Sequence, residues 1–495
     1  MASDLITKYT TDLGYELQLQ RGLFINNEFV SGSSQIEVVN PTNEKVILKV
    51  EAAGKEEVDA AVSAADKAYK EVWSKTTPSD RRDLMLRLAD LIERDQEEIA
   101  QIETVDGGKP ITFARNVDVK FLSECLRYFA GWADKLQGKV IEVAGVLTMT
   151  RHEPIGVCAA IVPWNFPSLL LMTKLGPALA TGNTIVAKTS EITPLSALKI
   201  AALAKEAGFP PGVINIITGY GETTGELLSR HKTVRKITFT GSTRAGRLVM
   251  KAAAESNMKK VTLELGGKSP NIIFEDADID KAVKWAYRGI YFHQGQVCTS
   301  GSRIYVQESI YDDFIKRFKE YIGYAPIGNP LEGSTIHGPQ VSKTQYDRVM
   351  GYIEAGKQEG ATVALGGERW GNEGYYIQPT VFTGVKEDMK IMKEEIFGPV
   401  VCVSKFKDRD EAIQLANNTE YGLAAAVFSQ NLDTCLSVSD EIQSGIVWVN
   451  CINMFDTASP LGGYKESGFG REGGEYVLAE YTQVKAVKIN RGVPV

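Results

Sequence analysis

Histidine and cysteine are scarce in this chain of 495 residues, which has four of the first and six of the second. His152, His231, His293 and His337 show no zinc-ligand spacing. Cys125, Cys158, Cys298, Cys402, Cys435 and Cys451 are scattered, with no C-x-x-C pair. These gaps exclude a disulfide framework and give no basis for a bound metal. Basic residues are not in excess: 55 Lys+Arg stand against 62 Asp+Glu, a net charge of −7. The basic footprint that nucleic-acid binding needs is therefore missing. No stretch approaches the ~18 uncharged apolar residues of a membrane span. Met1-Ala2-Ser3-Asp4-Leu5 lacks a basic n-region and an apolar h-region, and Gly492-Val493-Pro494-Val495 is neither a retention nor a peroxisomal tag. The expected compartment is the cytoplasm, with neither nucleic acid nor membrane as partner.

What is present suits large cores. Hydrophobic residues make up 43% of the chain, and the length allows roughly three units at ~150 residues each. Phe24 to Val30 predicts a hairpin turning at Asn26-Asn27. Helices are predicted over Lys55 to Val72, after an N-cap at Ser79, and over Phe121 to Leu136, with Gly107-Gly108-Lys109-Pro110 stopping the helix before it. From Ile155 onward, short apolar strands alternate with helices. Strands are predicted at Val157–Val162, Thr184–Ala187, Val213–Ile217 and Lys236–Thr240, with a helix from Gly221 to Ser229. A second run of the same kind follows from Asn271. Such alternation predicts an α/β fold with doubly wound parallel sheets. Val146 to Thr150 reads as an exposed β-ribbon, an invitation to pair with another chain.

Three segments carry chemistry. Gly219-x-Gly221-x-x-x-Gly225 and Gly241-Ser242-Thr243-x-x-Gly246 each follow a strand and open a helix. Both would aim backbone N–H groups at a pyrophosphate, although neither keeps the usual dinucleotide spacing. Gly267-Lys268-Ser269 resembles the tail of a phosphate loop, but Thr262 stands where that loop needs glycine. Cys298 lies in a turn among small polar residues, where a nucleophile can be presented. A free thiol is mostly protonated at neutral pH, so it needs a helper. His293 would point elsewhere if the helix ran through it. Glu264, in an apolar strand before a glycine turn, is a candidate base with a raised pKa or else a structural carboxylate.

Leu263-Glu264-Leu265-Gly266-Gly267-Lys268-Ser269-Pro270 resembles the glutamate signature of NAD(P)-dependent aldehyde dehydrogenases. Phe292 through Arg303 resembles their cysteine signature. Pro163-Trp164-Asn165-Phe166-Pro167, Phe239 to Thr243, Glu394 to Pro399 and Pro460 to Gly468 agree and stand in family order. The resemblance covers roughly Gly22 to Lys488 and is closest to the tetrameric acetaldehyde- and retinal-oxidising branch. It implies Cys298 as nucleophile, Asn165 as oxyanion donor, Glu264 as base for deacylation, and Lys174 and Glu472 in positioning or proton relay. For NAD it implies Lys188 and Glu191 at the adenine ribose, Ser242 at the pyrophosphate beside Gly221, Gly225 and Gly241, and Trp164 along the cleft. Glu395 would hold the nicotinamide ribose, with Phe397 near the ring. NADP would bind more weakly.

The resemblance also implies two Rossmann-like domains and a small oligomerisation ribbon. Residues 1–131 and 155–266 would bind NAD, 267–466 would form the catalytic domain, and 136–154 with 480–495 the ribbon of a homotetramer. The aldehyde pocket would comprise Phe166, Leu169, Leu170, Phe292, Val297, Thr299 and Phe455. Thr173 and Leu461 depart from the expected aromatics and predict a wider channel. Glu264 speaks against acyl transfer to coenzyme A, which has no need of a hydrolytic base.

Overall fold

A computed structural model describes residues 5–494, and two large sheets dominate it. In the first, five strands run parallel in the spatial order Lys260–Glu264, Lys236–Thr240, Val157–Ile161, Thr184–Thr189, Ile214–Thr218. The chain starts at the middle strand, winds out to one side, then returns to build the other. Antiparallel strands extend both edges: Leu23–Ile25 with Glu28–Val30 on one, Gly468–Phe469 on the other. The four strands from Val157–Ile161 to Lys236–Thr240 are buried at every position, as helices on both faces require.

The second sheet has seven strands. Its order is Thr362–Leu365, Thr380–Thr383, Val400–Phe406, Arg303–Gln307, Pro270–Ile273, Ala424–Phe428, Ile446–Val449. Only Thr362–Leu365 runs antiparallel to its neighbour. The fold is thus α/β with two doubly wound sheets. Among the described residues, no helix is long and apolar enough to cross a membrane.

A third, three-stranded sheet pairs Val140–Val143, Val146–Pro154 and Thr482–Asn490. The ribbon and the last strand were expected to form one oligomerisation unit. Here they pair with each other. The free edges are therefore Val140–Val143 and the outer side of Thr482–Asn490.

Local chemistry explains where the predicted elements end. Asn26 and Asn27 take φ of 54° and 64°, the left-handed pair of a two-residue hairpin. The helix expected after Ser79 starts earlier, at Pro78, because Thr77 and Asp80 close a capping box. Gly108 ends the preceding helix in the left-handed conformation at φ 71°. The helix expected from Phe121 to Leu136 is Lys120–Ala130, stopping at Gly131. Gly221–Gly225 is a wide π-type turn that leads into Glu226–Arg230 rather than one continuous helix.

Candidate active site

The first sheet changes winding direction between Val157–Ile161 and Lys236–Thr240. Crevices at such switch points, beyond the carboxyl ends of the strands, are where α/β sheets bind ligands. Trp164 and Asn165 follow the first of these strands; Gly241 and Ser242 follow the second. Glu264 ends the neighbouring strand. From there, Leu265 to Ser269 crosses to the second sheet.

Cys298 sits at the opposite kind of sheet end. Helix Ile279–Tyr291 stops, and His293, Gln294 and Gly295 then take φ of 46°, 55° and 72°. This left-handed run breaks the helix, so the turn holding Cys298 lies just before strand Arg303–Gln307. Burial drives His293 well below the usual imidazole pKa, and it is packed on Phe166. No Cys–His pair forms, through backbone reversal rather than helical phase.

The crossing segment packs tightly on this turn. A Cβ on Gly267 would lie 2.4 Å from the Cys298 carbonyl oxygen, so only glycine fits. Burial and the Glu264 charge push the Cys298 thiol well above its ordinary pKa. Burial, then the charge of Glu472, raises the Glu264 carboxyl to about 7. Neither Glu264 oxygen has a hydrogen-bond partner among the described residues. The thiol therefore keeps its proton at neutrality, and the carboxyl beside it is the group placed to accept that proton. Asn165 Nδ2 donates to the Gln296 carbonyl at 2.8 Å. That contact fixes the amide and leaves its second N–H for another acceptor.

Behind Glu264 lies a buried ion pair between Lys174 and Glu472. The Thr173 hydroxyl donates to the Leu170 carbonyl at 3.0 Å and approaches Glu472 at 3.2 Å. Leu461 and Glu472 exchange backbone hydrogen bonds at 2.7 Å in both directions. Both residues expected to widen the channel are therefore tied to the same glutamate.

Phe166, Leu170, Phe292 and Val297 come together as a buried apolar cluster next to the Cys298 turn, with Leu169 against it. Thr299 is buried, but its hydroxyl is bound to Asn453 at 2.7 Å. Phe455 is exposed and rests on Trp448. Phe113 and Val117 join the cluster without having been expected. Their i, i+4 spacing was a usable signal, hidden by the Gly-Gly-Lys-Pro stop just before them. Also unexpected is Lys109, held by Asp118 and, at 3.6 Å, by Glu103, with its ammonium 4.0 Å from the centre of the Phe166 ring. A desolvated contact of this kind is worth about 2 kcal/mol and braces the ring beside Asn165.

The cleft at the switch point has the donors a dinucleotide needs. Lys188, buried, bonds the Thr189 carbonyl at 3.0 Å and Glu191 at 3.4 Å. One donor and one acceptor there match a ribose diol. Ser242 caps helix Thr243–Ser256, whose first turn is the better of the two glycine motifs. A Cβ on Gly246 would lie 2.7 Å from Leu265, whereas one on Gly221 would meet nothing within 4 Å. Gly225 packs beside the Lys188 stem. Glu395 accepts from the Gly267 N–H at 3.0 Å, and burial raises its carboxyl to about 7. Trp164 and Phe397 meet edge to face at 5.2 Å, with Phe397 at φ 61°. A bulky residue in that conformation is strained, as functional clefts often are. The residues present fit NAD.

The profile of the aldehyde dehydrogenase family matches residues 29–487. An aldehyde dehydrogenase of Emericella nidulans is 56% identical over 494 residues, covering 99% of both chains. Aldehyde dehydrogenase 1A1 of Homo sapiens is 51% identical, covering 94% of each. The structure of a Bacillus cereus aldehyde dehydrogenase in complex with NAD+ superposes with a TM-score of 0.94 at 48% identity, over 95% of this chain and 96% of that one.

Proposed function

The chain belongs to the aldehyde dehydrogenase family, and from that premise we propose that it oxidises an aldehyde to the free carboxylic acid at Cys298, with NAD as hydride acceptor. The observation that carries the reading is Glu264, buried beside the Cys298 thiol with its carboxyl raised to about 7 and its oxygens without a full hydrogen bond among the described residues. Such a group takes a proton readily at neutral pH.

The Cys298 proton passes to Glu264, and the thiolate adds to the aldehyde carbon. The Asn165 amide and the Cys298 backbone N–H stabilise the oxyanion that forms. NAD, held by Lys188, Glu191, Ser242 and Glu395 and flanked by Trp164 and Phe397, supplies the hydride acceptor. The acyl group then remains on sulfur as a thioester. Once that first proton has left through Lys174 and Glu472, Glu264 takes a proton from water, whose oxygen attacks the thioester; the acid leaves and the Cys298 sulfur departs as the thiolate, free for the next turnover. Lys174 and Glu472 hold the charge balance behind Glu264 and relay its proton outward. A carboxylate placed to activate water favours acid over coenzyme A thioester as product. The test is NADH absorbance with an aldehyde panel, followed by product analysis. Equal acid with and without coenzyme A supports the reading, and acyl-coenzyme A as main product overturns it.

We assign residues 1–131 and 155–266 to cofactor binding, 267–466 to catalysis, and the third sheet to assembly as a homotetramer. The exposed apolar edges support assembly: Val140 is 70%, Val143 61% and Val484 63% accessible, and unpaired strands invite pairing. Light scattering that shows only the 54.2 kDa monomer would refute it. The compartment we propose is the cytoplasm.

A further inference from the structure

Helix Ile279–Tyr291, which leads to the Cys298 turn, borders a second cavity of about 520 Å³. Phe113 and Phe292 line it. The same two rings pack edge to face at 5.1 Å and belong to the apolar cluster beside Cys298. One aromatic pair is therefore shared between the wall of this cavity and the apolar cluster beside Cys298.

The rest of the lining is mostly aromatic and cationic, with Ala325 and Ile336 added. Trp285, Tyr287, Lys284 and Arg288 contribute, and no acidic residue does. Lys284 also lines an adjoining cavity that contains Glu320. Nearby Asp280 and Asp313 are taken by Arg317 at 2.8 and 3.1 Å. Arg288 has no such answer. Its Nε is buried without a hydrogen-bond partner among the described residues, and so is the Tyr287 hydroxyl. The guanidinium lies 5.6 Å from the Phe292 ring centre and 5.8 Å from that of Trp285. Rings hold a guanidinium in place while leaving its N–H edge free. The terminal nitrogens of Arg288 are not among the buried atoms and have no ion-pair partner among the described residues, so they are the edge that a ligand in the cavity reaches. The planar fork matches a carboxylate, which takes two parallel N–H···O bonds.

We propose, resting on the dehydrogenase reading above, that this cavity is an anion subsite for the far end of the substrate. The enzyme selects aldehydes that carry a carboxylate remote from the carbonyl. Arg288 binds that carboxylate, Tyr287 donates alongside, and the chain between the two ends passes the Phe113–Phe292 pair. Neutral aldehydes of the same length leave both donors unsatisfied and bind less well.

The test compares a long-chain ω-oxo carboxylic acid with its methyl ester, which has the same reach and no charge. The expected result is a kcat/KM for the acid at least tenfold above the ester in wild type. Arg288→Met should reduce that ratio to near unity, and Arg288→Lys should restore part of it. A ratio unchanged in Arg288→Met overturns the subsite while the dehydrogenase reading stands. If neither compound nor any simple aldehyde yields NADH, the dehydrogenase reading fails instead. The subsite is then judged by thermal shift with the corresponding dicarboxylate. A rise in Tm lost in Arg288→Met supports it, and no rise in wild type overturns it.

Discussion

The first sheet meets the cleft with the carboxyl ends of its strands, at Val162, Gly241 and Leu265. The second meets it with amino ends, ahead of Pro270, Arg303 and Val400. Both are doubly wound, yet the two ends bring different chemistry. Carboxyl ends feed helix N-termini, whose free N–H groups and positive dipole suit anions. Helices Pro167–Ala180 and Thr243–Ser256 start there, one just after Asn165 and the other at Ser242. Amino ends follow helix C-termini, where the dipole is negative. Helix Ile279–Tyr291 ends just before the Cys298 turn, which does nothing for a thiolate. The nucleophile therefore comes from the sheet least suited to stabilise it, and the side chains that serve it, Asn165 and Glu264, come from the other.

If that division holds, the largest effect should follow loss of the one reactive atom the second sheet supplies. Cys298→Ala should lower turnover by roughly three orders of magnitude or more while NAD binding, followed by fluorescence titration, is retained. Substantial residual oxidation would place the nucleophile elsewhere and dissolve the comparison.

Glu264 is the first sheet's reply to that thiol. Glu264→Gln should slow deacylation by roughly 10²–10⁴-fold, so that thioester accumulates in a single turnover. A carboxyl at about 7 must lose its proton to act, so wild-type deacylation should fall as pH drops below about 7. Stability runs the other way. The folded pKa is raised above the unfolded one, so the folded state binds more protons between the two, and stability declines as pH rises through that window. Glu264→Gln lacks this slope. Its Tm advantage over wild type should grow from pH 5 to pH 7 and then level off. A constant difference across that range would show that Glu264 is not strained by burial.

Glu191 sharpens the cofactor side. Half-exposed and 3.4 Å from Lys188, it would meet a 2′-phosphate with like charge. Glu191→Ala should raise the NADP-to-NAD ratio of kcat/KM by about tenfold, the size of one such contact near a surface. An unchanged ratio would take Glu191 out of cofactor choice.

Much of this was legible in the chain itself. Strands buried on both faces read as apolar runs, and the hairpin at Asn26-Asn27 announced its own turn. Glu264 and Cys298 stood out because a carboxylate sat before a glycine turn and a thiol among small polar residues, whereas Asn165 came only from the family resemblance. What was hidden depends on long-range approach. The Gly267 contact with Cys298 joins segments that share no local signal. The left-handed turn at His293 cannot be read from helical spacing, since His and Gln do not advertise positive φ. Thr77 outranked Ser79 as a cap because Pro78 suits a first helical position. The direction of Thr173 was lost for the same long-range reason, since its partner lies 299 residues away.

That residue gives the smallest and most specific test. Read from sequence, Thr173 widens the channel, and Thr173→Trp should then alter the preference for hexanal over acetaldehyde. In the structure its hydroxyl serves the Lys174–Glu472 pair on the carboxyl-end side of the cleft. Removing one hydrogen bond to a charged group while keeping the volume costs about 1.5–3 kcal/mol. Thr173→Val should therefore slow deacylation by about tenfold at the low end of that range, and Thr173→Ser should restore it. The hexanal-to-acetaldehyde ratio should stay level in both, because neither changes the space beside Phe166 and Leu170. A ratio that shifts in Thr173→Val with deacylation untouched would return Thr173 to the channel wall. It would also confine the relay behind Glu264 to the two charged side chains.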